Sequence, residues 1–143
     1  MKIYTIGFTQ SSAEDFFGRL SASGARRLID VRLNNVSQLA GFSKRDDLRF
    51  FLRAICGMEY VHEPNLAPTQ ALLDSYRKVN HDWASYAAGF LSLMTARRIE
   101  ELDRALFDGC CLLCSEAEPD HCHRRLVAEY LRDRWGEVEV LRL

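Results

Sequence analysis

One stretch of the sequence decides the fold: Cys110-Cys111-Leu112-Leu113-Cys114-Ser115-Glu116-Ala117-Glu118-Pro119-Asp120-His121-Cys122-His123-Arg124-Arg125. Residues 110–114 form a short apolar run, which is typical of a strand buried on both faces. The proline and aspartate at 119–120 signal the start of a helix, and apolar residues recur at helical spacing after them. The stretch therefore predicts a buried strand, a polar loop and a helix, in that order.

The same order of strand and helix recurs along the rest of the chain. Further strands are predicted at residues 2–6, 28–31, 59–62 and 138–141. Helices are predicted after capping serines at Ser11 or Ser12 and at Ser43, and over 69–78 and 81–106 with a break near Thr95. The second of these helices has a predicted buried stripe that ends at Ile55.

This alternation predicts a three-layer, Rossmann-like α/β fold. We expect a mostly parallel sheet of about five strands with helices on both faces, joined by right-handed crossovers. A chain of 143 residues is long enough to bury its own core, so we expect a single domain over residues 1–143.

The composition limits the classes of partner. Net charge is −1, so a nucleic-acid partner would need a local basic patch and is not favoured by the bulk charge. No apolar run approaches the roughly 18 residues of a membrane span, which predicts a cytoplasmic protein with no membrane partner. No glycine-rich phosphate loop is present and no cofactor is predicted. The composition does not specify an oligomeric state.

The five cysteines are an odd number and are predicted to be reduced thiols. Cys110 and Cys111 are interpreted as small core residues. Cys111 and Cys114 have the spacing of a zinc knuckle, but in a strand they face opposite sides of the sheet. A metal site built from Cys114, Cys122 and His121 or His123, with Glu116 as a further ligand, is an alternative. Its spacing matches no familiar zinc motif, so no metal ligand is assigned.

Polar residues lie at or just after the ends of four predicted strands, at Thr9, Arg32, His62 and Glu116. Ligands of parallel α/β folds bind beyond the carboxyl ends of the strands, so these residues are expected to converge on one rim. Asp30 and Arg32 point to the same face of their strand. Arg32 could hold a carboxylate or phosphate while Asp30 orients it or acts as a base. The alternative is a structural ion pair that ties the strand end to a neighbouring loop.

The last helix supplies the other candidate residues. Cys122 near a helix start and beside Arg124 is a candidate nucleophile, with a base from His121, His123 or the more distant His62. Alternatively, His123 bonds strand carbonyls and Cys122 only packs. Lys44 begins a basic set that could contact phosphate or form a solvated helix face; the others are Arg45, Arg49 and Arg53.

Several motifs in order along nearly the whole chain resemble the domain of unknown function 488 family. They are Ile3-Tyr4-Thr5-Ile6-Gly7, Asp30-Val31-Arg32, Gly41-Phe42, Tyr60-Val61-His62, Cys114-Ser115-Glu116 and Cys122-His123-Arg124-Arg125-Leu126. The family usually has His-Ser where this chain has Phe8-Thr9, and a proline in the loop that here reads Leu33-Asn34-Asn35-Val36-Ser37. The resemblance implies a fold and a site, but no reaction.

From these residues we predict an enzyme that acts on a small anionic or nucleotide-like substrate. Arg32 and Arg124 would hold the anion, and Glu116 or Asp30 would act as general acid or base. Cys122 and His123 complete the catalytic set, and the outer binding candidates are Thr9, Lys44, His62 and Cys114. The alternative function is a non-catalytic module that binds nucleic acid or protein.

Overall fold

The sheet has the predicted parallel architecture. A computed structural model describes residues 1–36, 41–115 and 122–143. The strands are β1 (Lys2–Gly7), β2 (Arg27–Asp30), β3 (Glu59–His62), β4 (Cys110–Cys114) and β5 (Glu139–Arg142). All pair in parallel in the order β3-β2-β4-β1-β5, so the predicted three-layer α/β fold is confirmed.

The strand quoted first, β4, lies at the centre of the sheet, hydrogen-bonded to β1 and β2. All five of its residues are buried, which is why the sequence there is continuously apolar. Cys110 and Cys114 pack into the core on one face and Cys111 packs into the core on the other. The opposite orientation of Cys111 and Cys114 is therefore confirmed, as is the core placement of Cys110 and Cys111.

Within the part of the chain that the structure describes, six α-helices cover the two faces. They are α1 (Ala13–Ser23), α2 (Arg45–Phe51), α3 (Gln70–Asp74), α4 (Trp83–Ala96), α5 (Arg104–Phe107) and α6 (His123–Trp135). Buried residues of α1 and α2, such as Phe16 and Leu48, form one core. Buried residues of α4, α5 and α6, such as Phe90, Phe107 and Val127, form the other. No helix of the described residues is long and apolar enough to cross a membrane.

The second helix differs from its prediction at both ends. Residues Gly41–Ser43 form a 3-10 turn and Lys44 is the N-cap, without a side-chain cap, so the predicted Ser43 cap is wrong. Ser43 is buried instead, and its carbonyl accepts a hydrogen bond from Arg32. Beyond α2 the chain continues as a wider π-helical turn, Leu52–Cys56. This turn breaks the 3.6-residue period, so Ile55 is 54% exposed and not part of the buried stripe.

The ends of the other helices follow local capping and backbone conformation. Ser12 caps α1, as predicted, and accepts from the Asp15 N–H, and Gly24 ends the helix in the left-handed conformation. The long pattern at 81–106 breaks after α4, where Arg98 has a φ of 55°. Helix α6 begins at His123 with an extended Cys122 as N-cap. The start predicted at 119–120 lies outside the described residues.

Candidate functional site

The connections of the sheet open a crevice at the carboxyl end of β4. From β4 the chain leads to α6 on one face, whereas from its neighbours β1 and β2 it leads to α1 and α2 on the other. Loops that leave adjacent parallel strands in opposite directions cannot fill the space between them, and ligands of α/β folds bind there. The topology therefore places a concave surface next to Cys114.

A cavity of about 480 Å³ occupies this position. Its wall includes five of the predicted site residues: Thr9, Arg32, Cys114, Cys122 and His123. They come from three parts of the chain, the ends of β1 and β2 and the junction of β4 with α6. The volume is within the range of about 300–1,000 Å³ that is common for small-molecule sites. Of the four strand-end residues expected to converge, the structure brings Thr9 and Arg32 to this cavity.

Asp30 is fully buried and bonds to Arg32, which lines the cavity. One of its carboxylate oxygens accepts from the backbone N–H and the Nε of Arg32, at 3.1 and 2.9 Å. The other accepts from Arg32 Nη2 at 2.8 Å and from the Tyr60 hydroxyl at 2.7 Å. Arg32 Nη2 also donates to the carbonyl of Ser43 at 2.7 Å. This is the geometry of a structural ion pair that ties β2 to the loop before α2.

Tyr60 and Asn35 extend the network of Asp30. The Asn35 side-chain amide donates to the Tyr60 hydroxyl at 3.2 Å, and both residues are buried. Burial, followed by the negative charge of Asp30, raises the pKa of Tyr60, so this hydroxyl stays protonated and donates to the carboxylate. The Arg32 guanidinium also lies over the Phe8 ring, with Cζ 5.3 Å from the centroid. Every polar atom of the Asp30 carboxylate is therefore already bonded within the protein.

Cys114 and Cys122 form a disulfide contact at the floor of the cavity. The prediction of reduced thiols for all five cysteines is wrong for this pair, because folding brings the end of β4 against the N-cap of α6. The other cysteines are free thiols, and burial raises the pKa of Cys110 to about 12. Arg124, 1% exposed, donates from Nη1 to the Cys114 sulfur at 3.6 Å. Its guanidinium therefore lies behind the cysteine pair, inside the protein.

His123 has a defined protonation state and tautomer. Its Nε2 lies 2.6 Å from the carbonyl oxygen of Val31, and a carbonyl can only accept, so Nε2 carries the proton. The lone pair is then on Nδ1. Burial lowers the pKa of His123 to about 4, so the imidazole is neutral at physiological pH. A neutral imidazole with a fixed lone pair can accept a proton or bind a metal ion.

Thr9 and His62 hold loops in place. The Thr9 hydroxyl donates to the carbonyl of Ser115, which also accepts from the Thr9 backbone N–H at 3.0 Å. His62 Nε2 lies 3.0 Å from the carbonyl of Arg32. Of these two, only Thr9 borders the cavity.

The remaining predicted residues are not gathered at the cavity. Lys44 caps α2 and does not line the cavity. Arg49 lies over the Tyr60 ring, and it borders a shallow surface depression together with Arg53. Glu116 and His121 lie outside the described residues.

An aromatic wall forms the far side of the cavity, and sequence reasoning missed it. It consists of Tyr76, Trp83 and Tyr86, which we call the aromatic wall from here on. Trp83 stacks on Tyr86 with centroids 5.2 Å apart, and Tyr76 packs against Tyr86 at 5.0 Å. The predicted helix over 81–106 includes Trp83 and Tyr86 but gives neither a role in a site. The available signal for a site was the polar group on each of these rings, because such side chains favour positions that are partly exposed to water.

Local features of the chain position this wall. Helix α3 continues as a π-helical turn, Ser75–Asn80, and His81, with a φ of 52°, reverses the chain. Asp82 then caps α4 by accepting from the Ala84 N–H at 3.1 Å. A Cβ at Gly89 would lie 2.9 Å from Leu72, so the glycine allows α3 to pack closely on α4. Arg77 follows Tyr76 in this hairpin, is exposed, and lines the cavity.

Comparison with known proteins agrees with the resemblance in the motifs. The family model described as Domain of unknown function DUF488 matches residues 12–131. The chain belongs to this family. No curated protein and no solved structure matches the chain significantly. The part that matches DUF488 includes β2, β4 and the start of α6, and so contains Arg32, Cys114, Cys122 and His123; Thr9 precedes it.

Proposed function

We propose that the protein is an enzyme that acts on a small anionic, nucleotide-like substrate bound in the cavity at the end of β4. One observation carries the proposal: the aromatic wall, two arginines and a cysteine–histidine cluster line the same cavity. Planar rings suit a base, guanidinium groups suit a phosphate or carboxylate, and an imidazole, with the cysteine pair once it is reduced, suits bond-making chemistry.

The aromatic wall accounts for the nucleotide-like part of the substrate. Stacking of a base on an aromatic side chain is worth about 1–3 kcal/mol, and it tolerates different bases. Trp83 is only half-buried although it stacks on Tyr86, so part of its ring borders the cavity. This arrangement supports recognition of a planar ring without specifying which one.

Two arginines account for the anionic part. Arg77 is exposed at the cavity wall, and we assign it the direct contact with the anion. Arg32 also lines the cavity, but its Nε and Nη2 are bonded to Asp30 and Ser43, so it acts as a fixed positive charge. Arg124 is buried behind Cys114 and contributes only to the electrostatic potential. The anion site therefore differs from the predicted clamp of Arg32 and Arg124 by the inclusion of Arg77.

The roles of Asp30 and Cys122 are judged by their access to the cavity, and that of Glu116 by its position in the sequence. Asp30 is enclosed and fully bonded, so Glu116, which follows the cavity residue Ser115 in sequence, is the carboxylate that we propose as general acid or base. Cys122 is 3% exposed, which fits a supporting part of the wall better than an attacking nucleophile. His123 presents a neutral imidazole at the same floor.

A thermal-shift screen against nucleotides, nucleosides and phosphorylated metabolites tests this proposal. A ligand at 100 times its dissociation constant stabilises a protein by about 2.7 kcal/mol, which raises the Tm by several degrees. We expect the Tm shift of wild-type protein to be retained in Arg53→Ala and strongly reduced in Arg77→Ala. Arg53 is the matched control, because it is an exposed arginine away from the cavity.

The opposite pattern would favour the non-catalytic alternative. If Arg53→Ala abolishes binding and Arg77→Ala does not, recognition uses the basic face of α2 and the cavity proposal is wrong. A steep loss of oligonucleotide binding with added salt would then identify nucleic acid as the partner. A shift that is equal in both variants would also reject Arg77 as the anion contact.

A further inference from the structure

The cysteine–histidine cluster at the cavity floor has the composition of a metal site. Cys114, Cys122 and His123 each offer one ligand atom within 4.8 Å of the other two. Over residues 1–36, 41–115 and 122–143, no other group of three or more histidines, cysteines or acids comes this close together. We propose that, when the two cysteines are reduced, these three residues bind one thiophilic divalent cation, with Zn²⁺ as the best match.

The orientation of His123 supports this assignment. Its Nε2–H donates to the carbonyl of Val31 at 2.6 Å, which leaves the Nδ1 lone pair for a ligand. A histidine that binds a metal almost always donates its other ring N–H to a carbonyl or carboxylate, which fixes the ring. The Val31 carbonyl belongs to the end of β2, so the ligand is oriented by the sheet itself.

The separation of the two cysteines also suits a bridging ion. Their Cα atoms are 7.2 Å apart. Disulfides usually span about 4.4–6.8 Å between Cα atoms, so this pair lies beyond the usual range. Two zinc–sulfur bonds of about 2.3 Å each reach across a larger gap than one sulfur–sulfur bond does. The hydrogen bond from Arg124 Nη1 to the Cys114 sulfur orients one ligand from behind, as outer contacts do in metal sites.

The ligand types decide the class of metal. Two thiolates and an imidazole favour Zn²⁺ or Co²⁺ over Mg²⁺ and Ca²⁺, which prefer oxygen ligands. Three protein ligands leave one tetrahedral position, and all three line the cavity, so that position is open to water or substrate. Sites with three protein ligands and one open position are typical of catalytic zinc. The inference is independent of the substrate class proposed above.

Metal binding by the full chain, reduced and without substrate, tests the proposal. Elemental analysis after dialysis should find about one zinc per chain. Titration with Co²⁺ should produce thiolate-to-cobalt charge-transfer absorption together with tetrahedral ligand-field bands. Cys122→Ser and His123→Ala should weaken binding by more than the roughly 10–100-fold that loss of an outer contact costs. Cys56→Ser, a cysteine away from the cluster, should bind as wild type does.

Three results would overturn the site: no stoichiometric metal in the reduced protein, equal affinity in Cys122→Ser, or loss of binding in Cys56→Ser. Circular dichroism of each variant separates loss of a ligand from loss of the fold. Oxidation of the Cys114–Cys122 pair should abolish binding, because a disulfide offers no thiolate. Because the nucleotide screen can be run in the presence of a chelator, failure of the metal site leaves the substrate proposal separately testable.

Discussion

Two polar clusters lie at the same end of the sheet. They differ in how much of their hydrogen-bonding capacity is already used by contacts within the protein. Asp30 accepts four hydrogen bonds from Arg32 and Tyr60, and nothing of the carboxylate is exposed. In the second cluster, Cys114 is bonded to Cys122 and accepts a hydrogen bond from Arg124, and His123 keeps a lone pair on Nδ1. A buried charge pair whose groups are all bonded is costly to break from one side, whereas the neighbouring cysteines, once reduced, and His123 offer ligand atoms for the chemistry proposed above.

The largest expected effect comes from Asp30→Ala. The substitution leaves the buried Arg32 guanidinium without its carboxylate, and breaking a buried pair from one side costs about 3–5 kcal/mol. Urea denaturation would measure the free energy of unfolding. Glu59→Ala is the control, because the exposed Arg27–Glu59 pair should contribute less than about 1 kcal/mol. Equal losses of unfolding free energy in the two variants would contradict a structural role for Asp30.

The second prediction concerns pH and His123. Its folded pKa of about 4 is below the ordinary 6.5, so the unfolded chain takes up a proton first as the pH falls. The contribution of neutral His123 to the free energy of unfolding is therefore complete above about pH 6.5. It is lost as the pH drops towards 4, by up to roughly 3 kcal/mol. Unfolding of metal-free protein across this range should show the loss. The loss of stability at low pH should disappear in His123→Gln and persist in His81→Gln, which alters an exposed histidine. A wild-type stability that does not change with pH over this range would contradict a neutral, buried His123.

Removal of one hydroxyl from the Asp30 network should have an intermediate effect. Tyr60→Phe leaves Asp30 with one fewer donor and the Asn35 amide without its acceptor. The expected loss is about 1–3 kcal/mol of unfolding free energy. Tyr4→Phe, in the half-buried middle of β1, provides a matched tyrosine whose substitution should cost less than about 0.5 kcal/mol. The comparison fails if Tyr4→Phe is the more damaging change.

The smallest effect on stability is expected for Cys122→Ser in the reduced protein. Cys122 occupies the N-cap of α6 without a side-chain cap, and serine is favoured at that position. A gain from capping should offset the packing lost in the buried site, so the net change should stay within about 1 kcal/mol. Denaturation in a thiol reductant measures it. A loss as large as that of Asp30→Ala would make both clusters structural and erase the distinction between them.

The sequence by itself determined the sheet, because strand and helix signals are local. Apolar runs at β2 and β4 required burial on both faces, and the alternation with helices required parallel pairing. Polar residues at the ends of parallel strands share one edge, which is why Thr9, Arg32 and His62 were expected to converge; Thr9 and Arg32 border the cavity, whereas His62 does not. The cap of α1 at Ser12 and its stop at Gly24 depend only on neighbouring residues, so they could also be read directly.

Only the tertiary structure decided what those residues contact. The state of Asp30 depends on Tyr60 and on the Ser43 carbonyl that holds Arg32, and no local pattern connects these positions. The aromatic wall depends on the angle between α3 and α4, since Tyr76, Trp83 and Tyr86 have the same spacing whether they fill a core or border a cavity. The Cys114–Cys122–His123 cluster forms because β4 and α6 are held against β2, through the bond from His123 to Val31. Periodicity fixes which face a side chain takes, but the distances that make a site are set by packing between elements far apart in the chain.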